Sequence, residues 1–525
     1  VKNNMSSSAN MSGTSRLLRN TLANVSAHVV TAAVAFITLP FMLAHFGMGY
    51  YGVFALVISL VAFVALFDLG MTTVLIKRVA QIDVMEHPQE FAGTIRLGRR
   101  WLALFGIINA VILGMLGFAP FLIANLQSDE VFLFRAMLAL YALSQLIIWP
   151  AKIGNIICAG RQRYDVIALT NIAVALANTC AIVTVLLLGR GPLVLTACFV
   201  AISSIASIAL AVYALRMQKI SSAVNANGTN RLLSNASRHL LRLALPIFVI
   251  QIAVFTMQQQ ADRVILGIML GAAAIALYEV AAKLGALLFQ IIGLAISATP
   301  SFVAHKETVT TREGMNDFFL TGSRYLSLLL MPTFMIVLVF TPAIIHVWVG
   351  PEFAISTIAA QFLIASALPF PLLILIDSIL IARDQYKVWL PFAILVAIIN
   401  LIVTALLVLQ LGLIGVAIGT FVAALCDVAC KLWVLRSTIQ CPVRKWIQRV
   451  LLPATIAVGI SAVLAIAFTT IAVPVNLTLL LIGLCATIAL SYAIIFSSIL
   501  SSDERSTCLR LARSVTTPWQ RTRKH

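Results

Sequence analysis

The ionisable side chains singled out inside long apolar stretches of this chain are Asp68, Arg135, Lys152, Asp262, Arg263, Glu279, Lys283, Asp377 and Asp427. A charge surrounded by hydrocarbon needs a partner, water or a ligand, so such residues mark candidate pathways. Glu279 and Lys283 stand four apart, the helical spacing at which opposite charges face each other. Asp262 and Arg263 follow Gln258, Gln259 and Gln260. Adjacent helical residues point about 100° apart, so this acid and base are poor partners. The spacing therefore predicts that Glu279 and Lys283 neutralise each other and that Arg263 faces a water-filled cavity. Arg135 supplies a second positive charge, Asp262, Glu279 or Asp377 balance it or take a proton, and Lys283 and Asp68 complete the set of candidate ion-coupling or cavity charges. Arginine suits phosphate because its planar fork presents several donors at once, so Arg263 and Arg135 are the candidates for a pyrophosphate-like head. The competing reading pairs Arg263 with a distant acid such as Asp377. Asp68, in Phe67-Asp68-Leu69-Gly70, equally suits a helix-packing or loop contact, Lys152 suits a side chain reaching the membrane border, and Asp427 suits a pair near that border.

These charges are exceptions in 525 residues that are 61% hydrophobic and only 10% charged. A soluble domain carries about 25% charged residues, and no soluble core of this size hides so much apolar surface. The bilayer is the solvent this composition demands. The net charge of +18 comes from Lys and Arg clustered between apolar runs, which reads as membrane topology rather than nucleic-acid binding. Eight cysteines are scattered without a CxxC, so neither a disulfide framework nor a metal site is expected; Cys426 and Cys430 share a helical face as a packing pair. No P-loop, dinucleotide fingerprint or HExxH is present, and no connection is long enough for a sizeable soluble module. An enzyme and a resident cofactor are not expected.

The elements that must position the charges are membrane helices, each needing about 20 mainly apolar residues. The sequence offers fourteen: 23–46, 51–70, 101–123, 132–158, 166–188, 193–215, 244–266, 274–298, 325–348, 357–381, 388–409, 414–435, 450–472 and 477–499. The first run reads as a retained helix rather than a signal peptide. The tails and even-numbered connections together carry 31 basic residues, and the odd connections carry one, Arg190. That bias places both termini in the cytoplasm. The basic tail also suits adsorption to anionic lipid.

The chain repeats. Trp149-Pro150 … Ala159-Gly160-Arg161-Gln162-Arg163-Tyr164-Asp165 is echoed by Phe370-Pro371 … Ile381-Ala382-Arg383-Asp384-Gln385-Tyr386-Lys387, with both the arginines and the tyrosines 222 residues apart. Phe46-Gly47 … Tyr50-Tyr51-Gly52 is echoed more loosely by Leu270-Gly271 … Leu277-Tyr278-Glu279. The expected architecture is all-α and polytopic. It has a six-helix bundle at 1–215, a cytoplasmic linker at 216–243, a second bundle at 244–435, an extra helix pair at 436–500 and a basic tail at 501–525. Repeats with an even number of spans are parallel, and two bundles around a central cavity suit alternating access.

On those residues the chain resembles a polysaccharide flippase of the Wzx/RfbX type, within the multidrug/oligosaccharidyl-lipid/polysaccharide exporter superfamily. The resemblance rests on Thr38-Leu39-Pro40 … Phe46-Gly47 … Tyr50-Tyr51-Gly52-Val53-Phe54-Ala55-Leu56 with Phe67-Asp68-Leu69-Gly70. It rests equally on Asp262-Arg263-Val264-Ile265-Leu266-Gly267, Leu270-Gly271 and Leu277-Tyr278-Glu279-Val280-Ala281-Ala282-Lys283. It implies two six-helix bundles plus a terminal pair in the inner membrane. It also implies movement of an undecaprenyl-diphosphate-linked oligosaccharide, by a cationic cavity with proton or sodium coupling. A glycan polymerase and assembly proteins are the implied partners. The alternatives are a proton- or sodium-coupled small-molecule exporter and a non-transporting scaffold of a glycan assembly complex. The topology has a direct check: reporter fusions at Asn227 and Pro474 should read cytoplasmic and periplasmic respectively, and the reverse at both sites would defeat it.

Overall fold

The computed structural model describes residues 34–68, 70–82, 86–119, 122, 125–217, 260–296, 312–383, 385, 388–472, 474, 476–502 and 504–506. Among them every regular element is helical. The chain runs through α1 (Val34–Asp68), α2 (Met71–Gln81), α3 (Pro88–Leu116), α4 (Ser128–Ala151), α5 (Ile153–Gly160), α6 (Tyr164–Leu187) and α7 (Pro192–Met217). It continues through α8 (Gln260–Leu270), α9 (Ala272–Ile296), α10 (Arg312–Trp348), α11 (Ala354–Ala367), α12 (Phe370–Leu373) and α13 (Leu375–Ala382). It ends with α14 (Leu390–Leu411), α15 (Leu413–Val434), α16 (Val443–Trp446), α17 (Leu452–Ile471) and α18 (Leu477–Ser498).

Twelve helices among the described residues are long and apolar enough to cross a membrane, which makes this a multi-pass membrane protein. The expected count of fourteen is not reached, for two identifiable reasons. The first two expected spans fall within the single stretch α1, and residues 23–33 lie outside the described residues. The seventh, 244–266, is described only from Gln260 onward. The linker beyond Met217 and the tail beyond Ser506 also lie outside the described residues. Both long uncharged runs break where polar punctuation predicts. Gly412 separates α14 from α15, and Asn476 caps α18 by accepting from the Leu479 N–H at 2.9 Å.

The sequence echo has a backbone counterpart. Gly47, inside α1, has φ +77°, and Gly271, between α8 and α9, has φ +84° at a position 224 residues later. A side chain is strained at such angles, whereas glycine is not. Gly189 and Gly412 form a second left-handed pair, with φ +61° and +57°. The break between α4 and α5 falls at Lys152 and that between α12 and α13 at Ile374, 222 residues on, and α5 and α13 are both eight residues long.

Contacts divide the chain into two compact units, residues 1–290 with 387–423 and residues 291–386 with 424–525. In the first, α3 lies along α4, and α4, α5 and α6 pack on α7. Their core gathers Met71, Phe91, Phe105, Trp149 and Ile157. The buried Trp149 indole donates to Gln145 Oε1 at 2.9 Å, so its polar end is satisfied. In the second, α10 carries Pro332 and Pro342 and packs on α11, α17 and α18. Arg324 ties its end together, donating to Glu504 at 2.8 and 3.2 Å and to the Arg449 and Ile499 carbonyls at 3.0 and 3.3 Å. Burial pushes the Glu504 carboxyl up, but hydrogen bonds from Arg324 and Ser501 outweigh it and hold the group below its ordinary range. Large side chains such as Ile147, Leu187, Leu406 and Leu409 stay exposed, as lipid-facing residues should.

Small residues let membrane helices approach closely. A Cβ on Gly154 of α5 would sit 2.5 Å from the Ala211 backbone of α7, whereas one on Gly114 meets nothing within 4 Å. Gly154→Ala should therefore cost about 1–3 kcal/mol by overpacking, read as a lower unfolding midpoint in detergent, while Gly114→Ala should not.

Candidate functional site

The α8–α9 connection is one residue long, and residues equidistant from Gly271 meet across it. Arg263 Nε donates to Glu279 Oε1 in an ion pair whose side chains are only 12% and 6% exposed. This corrects the expectation that Arg263 lacks a protein partner and that Glu279 is taken by Lys283. The physical reason is the turn: with left-handed Gly271 as the whole connection, α9 folds back along α8 and brings its acid to Arg263. Among the described residues Lys283 makes no ion pair, although it acts electrostatically on Glu279 from one turn away.

Asp262 is fully buried beside this pair. Its Oδ2 accepts from the Tyr278 hydroxyl and from Thr420 Oγ1, the latter at 3.1 Å. Thr420 in turn accepts from Asn400 Nδ2 at 3.5 Å. Among the described residues, three buried oxygens on this seam have no hydrogen-bond partner: Asp262 Oδ1, Asn400 Oδ1 and Thr404 Oγ1. Asn400 and Thr404 share one face of α14, and Gly419 of α15 lies directly against Thr404. The motif around Tyr50-Tyr51-Gly52 closes the other side. Tyr51 is buried within electrostatic reach of Glu279 and Arg263, and Gly52 meets the Ala272 carbonyl so closely that a Cβ would collide with it. The two motif stretches thus assemble one cluster.

The other predicted residues lie elsewhere. Arg135, exposed near the start of α4, donates to the Gly117 carbonyl at 3.1 Å and stands 5.2 Å from the Phe118 ring centroid; no cluster residue is among its partners. Asp68 accepts from the Gly70 N–H at 2.7 Å where the chain enters α2, which is the loop contact. Asp377 accepts from Lys431 at 2.9 Å, and Lys431 also pairs with Asp427 at 3.3 Å, four residues back on α15. Lys152 lies 3.4 Å from the Trp149 ring centroid.

A family model described as "Polysaccharide biosynthesis protein" matches residues 17–304, a stretch that contains both motifs, Asp262 and the Arg263–Glu279 pair. The chain belongs to the polysaccharide biosynthesis protein family. This family member shares its fold with a lipid II flippase, MurJ, in an inward closed conformation: TM-score 0.68, 17% identity, covering 92% of this chain and 98% of that one. It is also similar to an inward-facing multidrug resistance MATE family transporter of the MOP superfamily: TM-score 0.58, 16% identity, covering 79% and 94%. Comparison with curated protein sequences gives no match.

Sequence reasoning passed over Tyr51, Tyr278, Asn400, Thr404 and Thr420 because they are uncharged. The available signal was Asn400 and Thr404 at helical spacing inside a charge-free run. The pair itself is directly testable. Leaving one charge buried alone costs about 3–5 kcal/mol. Glu279→Ala should therefore destabilise the purified protein by that amount, and adding Arg263→Ala should restore part of it. A double variant worse than the single would show that the two side chains do not act as a pair.

Proposed function

We propose that this polysaccharide biosynthesis family member is a flippase. It moves an undecaprenyl-diphosphate-linked oligosaccharide across the cytoplasmic membrane by alternating access of two six-helix repeats around a central cavity. Both termini stand in the cytoplasm of an inner-membrane protein. The carrying observation is the family match together with a fold that a lipid II flippase also adopts. In this reading the work is transport and no covalent bond is made. Arg263 exchanges Glu279 for the diphosphate, and Lys283, one turn along α9, takes over the released carboxylate. Arg135 is a second headgroup contact. A glycan polymerase and assembly proteins receive the product.

The coupling ion is a monovalent cation held by Asp262. Its unpartnered Oδ1 and the unpartnered oxygens of Asn400 and Thr404 would supply one carboxylate and neutral oxygens as donors. Hard oxygen ligands suit such a cation, and the single negative charge disfavours a divalent one. A ligand that binds only the folded state raises its stability. Sodium chloride should therefore raise the unfolding midpoint above that in choline chloride at equal ionic strength, and Asp262→Asn should abolish the difference. No difference in the wild type would remove sodium and leave Asp262 to a proton.

Transport is tested by the leaflet distribution of lipid-linked glycan in a deletion strain. Accumulation on the cytoplasmic leaflet is expected. Normal surface glycan with new sensitivity to cationic drugs would replace the reading with a small-molecule exporter. Loss of glycan despite normal flipping would replace it with a scaffold.

A further inference from the structure

A second polar site lies inside the first compact unit, away from the Asp262 cluster. A cavity of about 370 Å³ opens among α2, α4, α5, α6 and α7, and its lining includes Thr72, Lys152, Asn155, Asn171, Ser203 and Ser207. That volume falls within the usual small-molecule range of about 300–1,000 Å³. Among the described residues none of these six side chains has a hydrogen-bond partner in the protein. Lys152 Nζ lies over the face of Trp149 and, among the described residues, has no hydrogen-bond or ion-pair partner for its three N–H donors. Asp68 acts on it electrostatically from beyond hydrogen-bond distance, with its Oδ1 taken by the Gly70 N–H.

Thr72 Oγ1 is buried without a partner, and the five other polar side chains line the same space, an arrangement that a polar ligand would satisfy. The donor and acceptor balance describes the occupant. Two amides and three hydroxyls both give and accept hydrogen bonds, which matches the hydroxyls of a sugar ring. A phosphate offers acceptors only, and the amide and hydroxyl oxygens would be left unmatched around it. The lone ammonium adds one site for one negative charge. We propose that this cavity binds a sugar bearing a carboxylate, with Lys152 on the carboxylate and the Asn and Ser side chains on the ring hydroxyls. The inference rests on the glycan-carrier reading and narrows it: the transported oligosaccharide contains an acidic sugar.

The test uses the full-length protein in detergent and reads saturable shifts of its unfolding midpoint with glucuronate, glucose and inorganic phosphate at equal ionic strength. Glucuronate should stabilise the wild type. Lys152→Gln should weaken glucuronate at least about tenfold, as loss of a charged hydrogen bond does, and leave glucose unchanged. Asn171→Leu, which fills the cavity from another helix, should weaken both sugars. Each variant is first shown to be monodisperse with a cooperative transition. Equal binding of glucose and glucuronate would overturn the role of Lys152. Stronger binding of phosphate would assign the cavity to a phosphate head, and no saturable shift with any probe would leave it to water. Binding is read without a lipid carrier or transport, so a failed transport assay and a failed binding assay are separate results.

Discussion

The ion pair between Arg263 and Glu279 closes a hairpin whose turn is one glycine, and the surrounding contacts follow from that closure. A guanidinium in hydrocarbon is tolerated only with a partner, so α9 must return along α8 in the register that supplies one. The same register sets the Tyr278 hydroxyl on Asp262 and lays Ile275 against Gly267. It also places the Ala272 carbonyl where Gly52 passes. A buried pair of this kind contributes little net stability, since its desolvation offsets its attraction. Its effect is on specificity, because any slip in register leaves two charges alone.

The repeat keeps backbone punctuation and the Arg161/Arg383 and Tyr164/Tyr386 landmarks, but not the buried charges. Gly47 and Gly271 both take left-handed φ angles, and α5 and α13 share length and offset. The charges near those glycines and helix breaks do not correspond. Lys152 at the first break is matched by Ile374 at the second, and at the offset that relates the glycines Glu279 falls on Ala55 and Arg263 on Leu39. A backbone turn at positive φ favours glycine wherever it falls, whatever the side chains around it. Each charge needs a local partner, and partners diverge. The two halves therefore resemble each other as scaffolds and differ as sites.

Much of the scaffold was legible in the sequence, because hydrocarbon length and helical rise leave few ways to arrange apolar runs. The breaks at Gln410-Leu411-Gly412 and Pro474-Val475-Asn476 were visible as polar punctuation. Pairing was less legible. The i,i+4 rule correctly made Glu279 and Lys283 neighbours on one helix, but it could not weigh that contact against a partner across a turn. Arg263 is nearer in space to Glu279 than its sixteen-residue separation suggests, and Lys431 captured Asp377 from another helix. The uncharged half of the Asp262 site was hidden for a different reason: a threonine or asparagine in an apolar run carries no charge to mark it.

The two polar sites of the first unit are electrically opposite. Around Asp262 the unused groups are oxygens with lone pairs to give: a carboxylate oxygen, an amide oxygen and a hydroxyl. Around Lys152 the unused charge is an ammonium with protons to give. The first set rewards a cation and the second an anion, and neither ligand can satisfy the other set. Two such sites within one unit do not compete for a ligand. A ligand at either would pair polar groups that have no partner among the described residues. Binding free energy at either site is then available to bias whichever conformation closes around it, because a ligand shifts an equilibrium only by its differential affinity for the two states. On the proposed function, a coupling ion and a charged cargo would act on the same body of helices through different residues.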